Sequence, residues 1–108
     1  TSAAAAAIAA TVSSCPKLER LDVRNNEMGD AGAEAVAQAV AKGHIRHLDL
    51  SSNGVSSLGA RALARALGAN ATLLVLDVRD NPIAPEGVSA LQRASRESGV
   101  VGRQVLVP

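Results

Sequence analysis

Ile45-Arg46-His47-Leu48-Asp49-Leu50-Ser51-Ser52-Asn53, followed six positions after the asparagine by Gly59-Ala60-Arg61-Ala62-Leu63-Ala64-Arg65-Ala66-Leu67, decides how the chain folds. In the first stretch apolar and polar residues alternate, as in a half-buried strand. In the second, Ala60, Leu63, Ala64 and Leu67 recur at helical spacing while Arg61 and Arg65 fall on the opposite face. The same pair of signals occurs on both sides. Upstream it reads Leu18-x-x-Leu21-Asp22-Val23-x-x-Asn26, then Gly32 with Ala33, Val36, Ala37 and Val40. Downstream it reads Leu73-x-x-Leu76-Asp77-Val78-x-x-Asn81, then Gly87 with Val88 and Leu91. The asparagines are 27 and 28 residues apart (53 − 26 and 81 − 53). A period of this length marks a solenoid whose units bury their apolar faces only by stacking.

The 108 residues suffice for one small domain and little more than three such units. Apolar residues make up 47% of the chain, yet it has no Phe, Tyr or Trp. The core is therefore Leu, Val, Ile and Ala, which suits a thin seam between strands and helices better than a single compact core. The formal net charge is +1. That balance argues against a nucleic-acid or anionic-membrane binder, and the missing aromatics remove the platforms on which single-stranded bases stack. One cysteine, Cys15, excludes an intramolecular disulfide and fits a reducing, intracellular and cytoplasmic setting.

Each unit reads as strand, turn, loop and helix. The expected division of a single domain, residues 1–108, is a helix of a truncated repeat (1–17), repeats 18–44, 45–72 and 73–100, and a C-terminal capping strand (101–108). In the opening helix Ile8 aligns with Leu63 and Val12 with Leu67. Asp30 and Ser57 are expected helix N-caps, with Pro85 at the same place in the third unit. In the last segment Gln104 falls where the period asks for leucine; a shift of one residue turns Val105 and Val107 inward instead. Leu74 and Val75 are apolar where the other copies are polar, and either the C-terminal segment, the favoured reading, or a partner is expected to cover them.

The repeated form, L-x-x-L-D-L-x-x-N-x-[IVLM] followed by G-A-x-A-L-A-x-A-L, resembles the leucine-rich repeat superfamily and its ribonuclease-inhibitor-like subclass. The resemblance implies an α/β solenoid with a parallel β-sheet on the concave face and α-helices on the convex face. It implies that Asn26, Asn53 and Asn81 form a structural ladder, meeting backbone groups that the turn leaves unpaired. It also implies a protein–protein interaction module, expected to be the C-terminal part of a longer solenoid. Other members are structural components of cytoskeletal or axonemal assemblies, GTPase-activating proteins and immune sensors.

Strand alternation sends the residues between the leucines to the concave surface. There they form columns: Arg20, His47 and Val75; Asp22, Asp49 and Asp77; Arg24, Ser51 and Arg79. The structural reading is a solvated sheet in which arginines offset a row of carboxylates, with rungs about 5 Å apart. The functional reading is a mixed-charge surface that holds a protein partner. No metal, cofactor or catalytic set is expected. His44, His47 and Asp49 lack a fourth ligand, and Cys15 and the serines lack a partnered histidine. Uncovered repeat edges make self-association a further expectation.

Overall fold

In the computed structural model the chain is described at residues 6–8, 10, 11, 14, 17–42, 44–70 and 72–108. Four strands, β1 (Arg20–Asp22), β2 (His47–Asp49), β3 (Val75–Asp77) and β4 (Gln104–Leu106), alternate with three helices. These are α1 (Gly29–Lys42), α2 (Ser57–Ala69) and α3 (Pro85–Glu97). The strands form one parallel sheet in the order β1-β2-β3-β4. Leu21 sits opposite Leu48, and Leu48 opposite Leu76. The triplets thus stand side by side as neighbouring rungs. α1 packs on α2, and α2 on α3.

The core is the seam between the two layers. Ile45, Leu48, Leu50, Leu73, Leu76 and Val78 from the strand segments meet Val36, Val40, Leu63, Leu67 and Leu91 from the helices, each 2% exposed or less. Full burial of each large aliphatic side chain contributes about 1.5–3 kcal/mol, so a core without aromatic rings is sustained by the number of such contacts.

Each strand is short because the chain turns at once. The residue before each ladder asparagine is left-handed: Asn25, Ser52 and Asp80 have φ of 59°, 57° and 57°. Asparagine and aspartate tolerate this region; serine does so less readily. The turn leaves amides and carbonyls that the sheet cannot pair. Asn53 Nδ2 donates to the carbonyls of Val23, Leu50 and Ser51, while its Oδ1 accepts from the N–H groups of Asn26 and Met28. Asn81 repeats this one rung on, donating to Leu50, Val78 and Arg79 and accepting from Asn53 and Val55. Asn26 donates to Val23 and Arg24 but is exposed, at the outer rung. The ladder asparagines therefore differ in burial although their sequence contexts match.

The periodic glycine has a steric cause. A Cβ on Gly59 would lie 2.6 Å from Val55 Cγ1 and 2.7 Å from Asp30 Oδ1, and one on Gly87 would lie 2.7 Å from Ile83 Cγ2. The helix start is pressed against the loop before it and the preceding repeat.

Helix capping differs from the expectation. Asp30 and Ser57 lie inside the first turns of α1 and α2 and serve the next repeat instead of their own. Asp30 accepts from the Ser56 N–H at 2.7 Å, the Ser56 hydroxyl at 2.5 Å and the Gly59 N–H at 3.0 Å, filling the place of an N-cap side chain on α2. Ser57 Oγ accepts from the Ala84 N–H at 3.1 Å, just ahead of α3. The cause is the stacking: helix starts of adjacent repeats are close enough to exchange caps. Burial raises the Asp30 carboxyl, but the three bonds from Ser56 and Gly59 outweigh it and hold the group below the usual carboxylate range.

The C-terminal segment forms a strand in the register shifted by one residue, but it does not fold over Leu74 and Val75. It extends the sheet as an outer strand, with Val105 opposite Leu76 and Gln104 opposite Val75. Val105 and Val107 pack on the core. Leu74 and Val75 are flanked, not covered, and remain half-buried. Arg103 fixes the segment in place, donating to the carbonyls of Leu73, Leu67 and Asn70 at 2.6, 2.8 and 2.5 Å. These include carbonyls at the C-terminal end of α2, which lack partners within the helix.

Of the opening helix, residues 6–8, 10, 11 and 14 are helical and Ile8 packs on the core. Val12 and Cys15, singled out above, lie outside the described residues. Among the described residues, no helix is long and apolar enough to cross a membrane.

Candidate interaction face

The rung register brings the sequence-predicted residues together on one sheet face. Arg20, His47 and Val75 are aligned neighbours, as are Asp22, Asp49 and Asp77; the columns continue onto β4 as Gln104 and Leu106. Arg24, Ser51 and Arg79 follow two residues after the aspartates. The face is not uniformly solvated, however. Asp77 is 5% and Ser51 8% exposed, whereas Arg20, Asp22, Arg24 and Arg79 are exposed.

Burial of Asp77, and partial burial of Asp49, is tolerated because the carboxylate closes a turn, as it also does at the exposed Asp22. Asp22 Oδ1 accepts from the Arg24 N–H at 3.2 Å and from Arg24 Nε at 3.0 Å. Asp49 Oδ1 accepts from the Ser51 N–H at 3.0 Å and its hydroxyl at 2.6 Å. Asp77 Oδ1 accepts from the Arg79 N–H at 3.0 Å and Nε at 3.1 Å, and Oδ2 accepts from Nη2 at 2.8 Å. Such side chain-to-backbone bonds two residues on are the Asx turn. The column of carboxylates is thus first a structural device, and it orients the side chain two positions later.

The electrostatics follow the same pairs. The backbone N–H of Arg24, joined by its guanidinium, holds the Asp22 carboxyl below its usual range despite opposing desolvation. For Asp77 the Arg79 guanidinium is the largest cause of a lowered value, opposed by burial and helped by the Arg79 N–H. Arg79 is raised in turn, chiefly through Asp77. Arg24 also reaches Asp49 Oδ2, at 3.6 Å. Arg20 makes no ion pair among the described residues.

Between the first and third rungs lies a shallow cleft of about 410 Å³ lined by Arg24, Asp49, Ser51, Asp77, Arg79 and Asp80. A smaller hollow of about 220 Å³ on the helix side, between α1 and α2, is walled mostly by alanines such as Ala37, Ala62 and Ala66. Among the described residues no three His, Cys, Asp or Glu side chains stand close enough to hold a metal ion. His44 is exposed and His47 half-buried.

A family model described as "Leucine Rich repeat" matches residues 14–37, 43–64 and 69–91, more than half of the chain. The chain belongs to the leucine-rich repeat family. Proteins of this family generally act by binding other proteins. No curated protein sequence matches this leucine-rich repeat chain. Among solved structures 33 chains match. One is the C-terminal domain of tropomodulin from Caenorhabditis elegans, 18% identical, with a TM-score of 0.77. The alignment covers 95% of this chain and 61% of that one. At that identity the likeness shows a shared fold, and this chain spans about 61% of the neighbour's length.

Three residues of structural weight were not singled out from the sequence: Arg103, Asn70 and, in its true role, Asp30. Asn70 is buried, donates to the Val40 carbonyl at 2.6 Å and accepts from the Thr72 and Leu73 N–H groups. Arg103 and Asn70 do not recur with the period, so periodicity could not mark them; the Asp30 position recurs as Ser57, but nothing in the period says that each serves the next repeat. The local signal for the Asx turns was present, since Asp-x-Arg, Asp-x-Ser and Asp-x-Arg recur in phase.

Proposed function

We propose that this chain is a protein-binding module whose contact surface is the concave sheet face around Arg20, Asp22, Arg24, His47, Asp49, Ser51, Val75, Asp77 and Arg79. The carrying observation is that the arginines beside the cleft are already oriented by Asp22 and Asp77. Ordered side chains lose less conformational freedom when a partner engages them, and arginine is enriched among residues that dominate interface energies. Binding without catalysis, in a cytoplasmic setting, is the reading that the shallow, open cleft and the single cysteine support. The tropomodulin likeness adds the fold and nothing about partners, so the reading stops at a protein ligand.

The test is site-specific photo-crosslinking in cell extract, with the crosslinking amino acid at Arg20 on the sheet face or at Arg61 on the helix face. Adducts with a discrete protein from position 20 and not from position 61 are expected. Adducts from position 61 alone would move the contact surface to the helices and end this reading.

A further inference from the structure

We propose that the cleft over Ser51 receives a cationic side chain, lysine or arginine, from the protein partner, seated against Asp49. The inference rests on the reading of the sheet as the contact face and adds the chemistry of the group it takes. It begins from an interruption in the repeat. On the first and third rungs the aspartate is answered two residues later by an arginine, Arg24 at 3.0 Å and Arg79 at 2.8 Å. On the second rung the same place holds Ser51, whose hydroxyl turns down onto Asp49 Oδ1 at 2.6 Å. The space that a long side chain fills on either side is left open there, and it forms the floor of the 410 Å³ cleft.

Charge follows space. The lining residues comprise two arginines, Arg24 and Arg79, and three aspartates, Asp49, Asp77 and Asp80. Arg79 bonds Asp77 at 2.8 Å and feels Asp49 and Asp80 more weakly, and Arg24 lies closer to Asp22 than to Asp49. Among the described residues the one ion-pair approach to Asp49 Oδ2 is therefore that of Arg24 at 3.6 Å, and the Asp49 side chain, 14% exposed, is still reachable from the cleft. Asp80 is exposed at the rim and makes no ion pair among the described residues. A guanidinium or ammonium group entering over Ser51 restores the aspartate–cation pairing of the flanking rungs, between walls that are already ordered. A carboxylate entering there meets a lining in which negative groups outnumber positive ones.

The experiment is an NMR titration of the ¹⁵N-labelled chain with acetyl-Ala-Arg-Ala-Arg-Ala-amide, its lysine counterpart, and acetyl-Ala-Glu-Ala-Glu-Ala-amide as the charge control. The cationic peptides are expected to shift the amides of Asp49, Ser51 and Asp80 saturably, with a dissociation constant of about millimolar order; the glutamate peptide is not. Ser51→Arg supplies the missing side chain in cis, in a setting that Arg24 and Arg79 show the fold accepts, and Asp49→Asn removes the charge. Each is expected to weaken the cationic peptides about tenfold or more, as loss of a charge-assisted contact does, while Ser51→Ala keeps binding. Saturable shifts that persist in Ser51→Arg, that appear equally with the glutamate peptide, or that never occur at these three amides would overturn the proposal. Crosslinks from position 20 that survive such a result would leave the contact face standing and remove only the cationic occupant.

Discussion

Leu21 and Leu48 hold the same position in successive rungs, paired directly across the sheet, yet Leu48 is fully buried and Leu21 only half-buried. Leu76, on the other inner strand, is 1% exposed with β4 beside it, while Val105 opposite it on the outer strand is half-buried like Leu21. Inner and outer strands of the described sheet teach that a repeat does not own its stability. The sequence of a rung states which groups need covering, and its neighbours decide how far they are covered. The largest expected effect therefore compares one substitution at two addresses. Leu48→Ala is expected to cost about 3 kcal/mol and Leu21→Ala about 1 kcal/mol, since the outer position creates less cavity and loses less burial. Urea unfolding of both variants measures the difference. Equal losses would mean that the outer rung is packed as tightly as the inner one, and the comparison would fail.

The asparagines sharpen the same contrast with polar groups. Asn53 serves five backbone partners on two rungs and is 1% exposed, while Asn26, which also bonds Val23 and Arg24, is exposed. Asn53→Ala is expected to cost about 2–3 kcal/mol, because orphaned buried donors and acceptors cannot turn to water. Asn26→Ala is expected to cost less than about 1 kcal/mol, because its groups can be hydrated. Thermal melts at matched concentration read both values, and a costlier Asn26 variant would contradict the burial argument.

The leucine rungs, the asparagine ladder and the alignment of concave columns were legible because each depends on residues that recur in phase. Three copies of one pattern specify register more firmly than any single stretch could. The cross-repeat caps were not legible as such: Asp30 looks like an N-cap in sequence and is one, but for the helix 27 residues further on (57 − 30). A local motif carries no label saying which helix it will meet, and that choice is made by the spacing of packed helices. Arg103 was hidden for the opposite reason. It occurs once, and its three carbonyl partners become neighbours only when the last strand has docked. On the sheet face the residue types were legible, but not that Asp77 and Ser51 would be buried. Alternation gives the direction of a side chain, whereas the turn that it closes sets its exposure: the Ser51 hydroxyl folds back onto Asp49 and the Asp77 carboxylate onto Arg79.

Asp22 and Asp77 offer a milder contrast, between an exposed and a buried copy of one turn. Both carboxyls are held below the ordinary range, Asp77 chiefly by the guanidinium of Arg79. A folded value below the unfolded one means stability that is present above about pH 4, the ordinary carboxylate range, and lost as pH falls through the folded value. Asp77→Asn is expected to cost about 1.5 kcal/mol at pH 7 through the weakened charge-assisted bonds, and to lose less stability than the parent between pH 5 and 2, in the acid range about and below the ordinary carboxylate value. Asp22→Asn, whose group is solvated, is expected to change less in both respects. Urea midpoints across that range decide it; parallel acid profiles for the parent and Asp77→Asn would show that this carboxylate is not among the groups whose protonation unfolds the chain.

The smallest expected effect concerns the middle rung alone and has the opposite sign. Asn25, Ser52 and Asp80 hold equivalent left-handed positions with nearly the same φ, but only the outer two carry side chains suited to that region. Ser52 is half-buried, and among the described residues its hydroxyl has no hydrogen-bond partner. Ser52→Asn should relieve part of the backbone cost without removing a contact, raising stability by about 0.5 kcal/mol. A differential scanning comparison with Asn25→Ser tests both directions at once, since the reciprocal exchange is expected to lose a similar amount. If Ser52→Asn instead destabilises, the crowding of a half-buried site outweighs the backbone preference, and the middle turn is held by its packing, unlike the two that flank it.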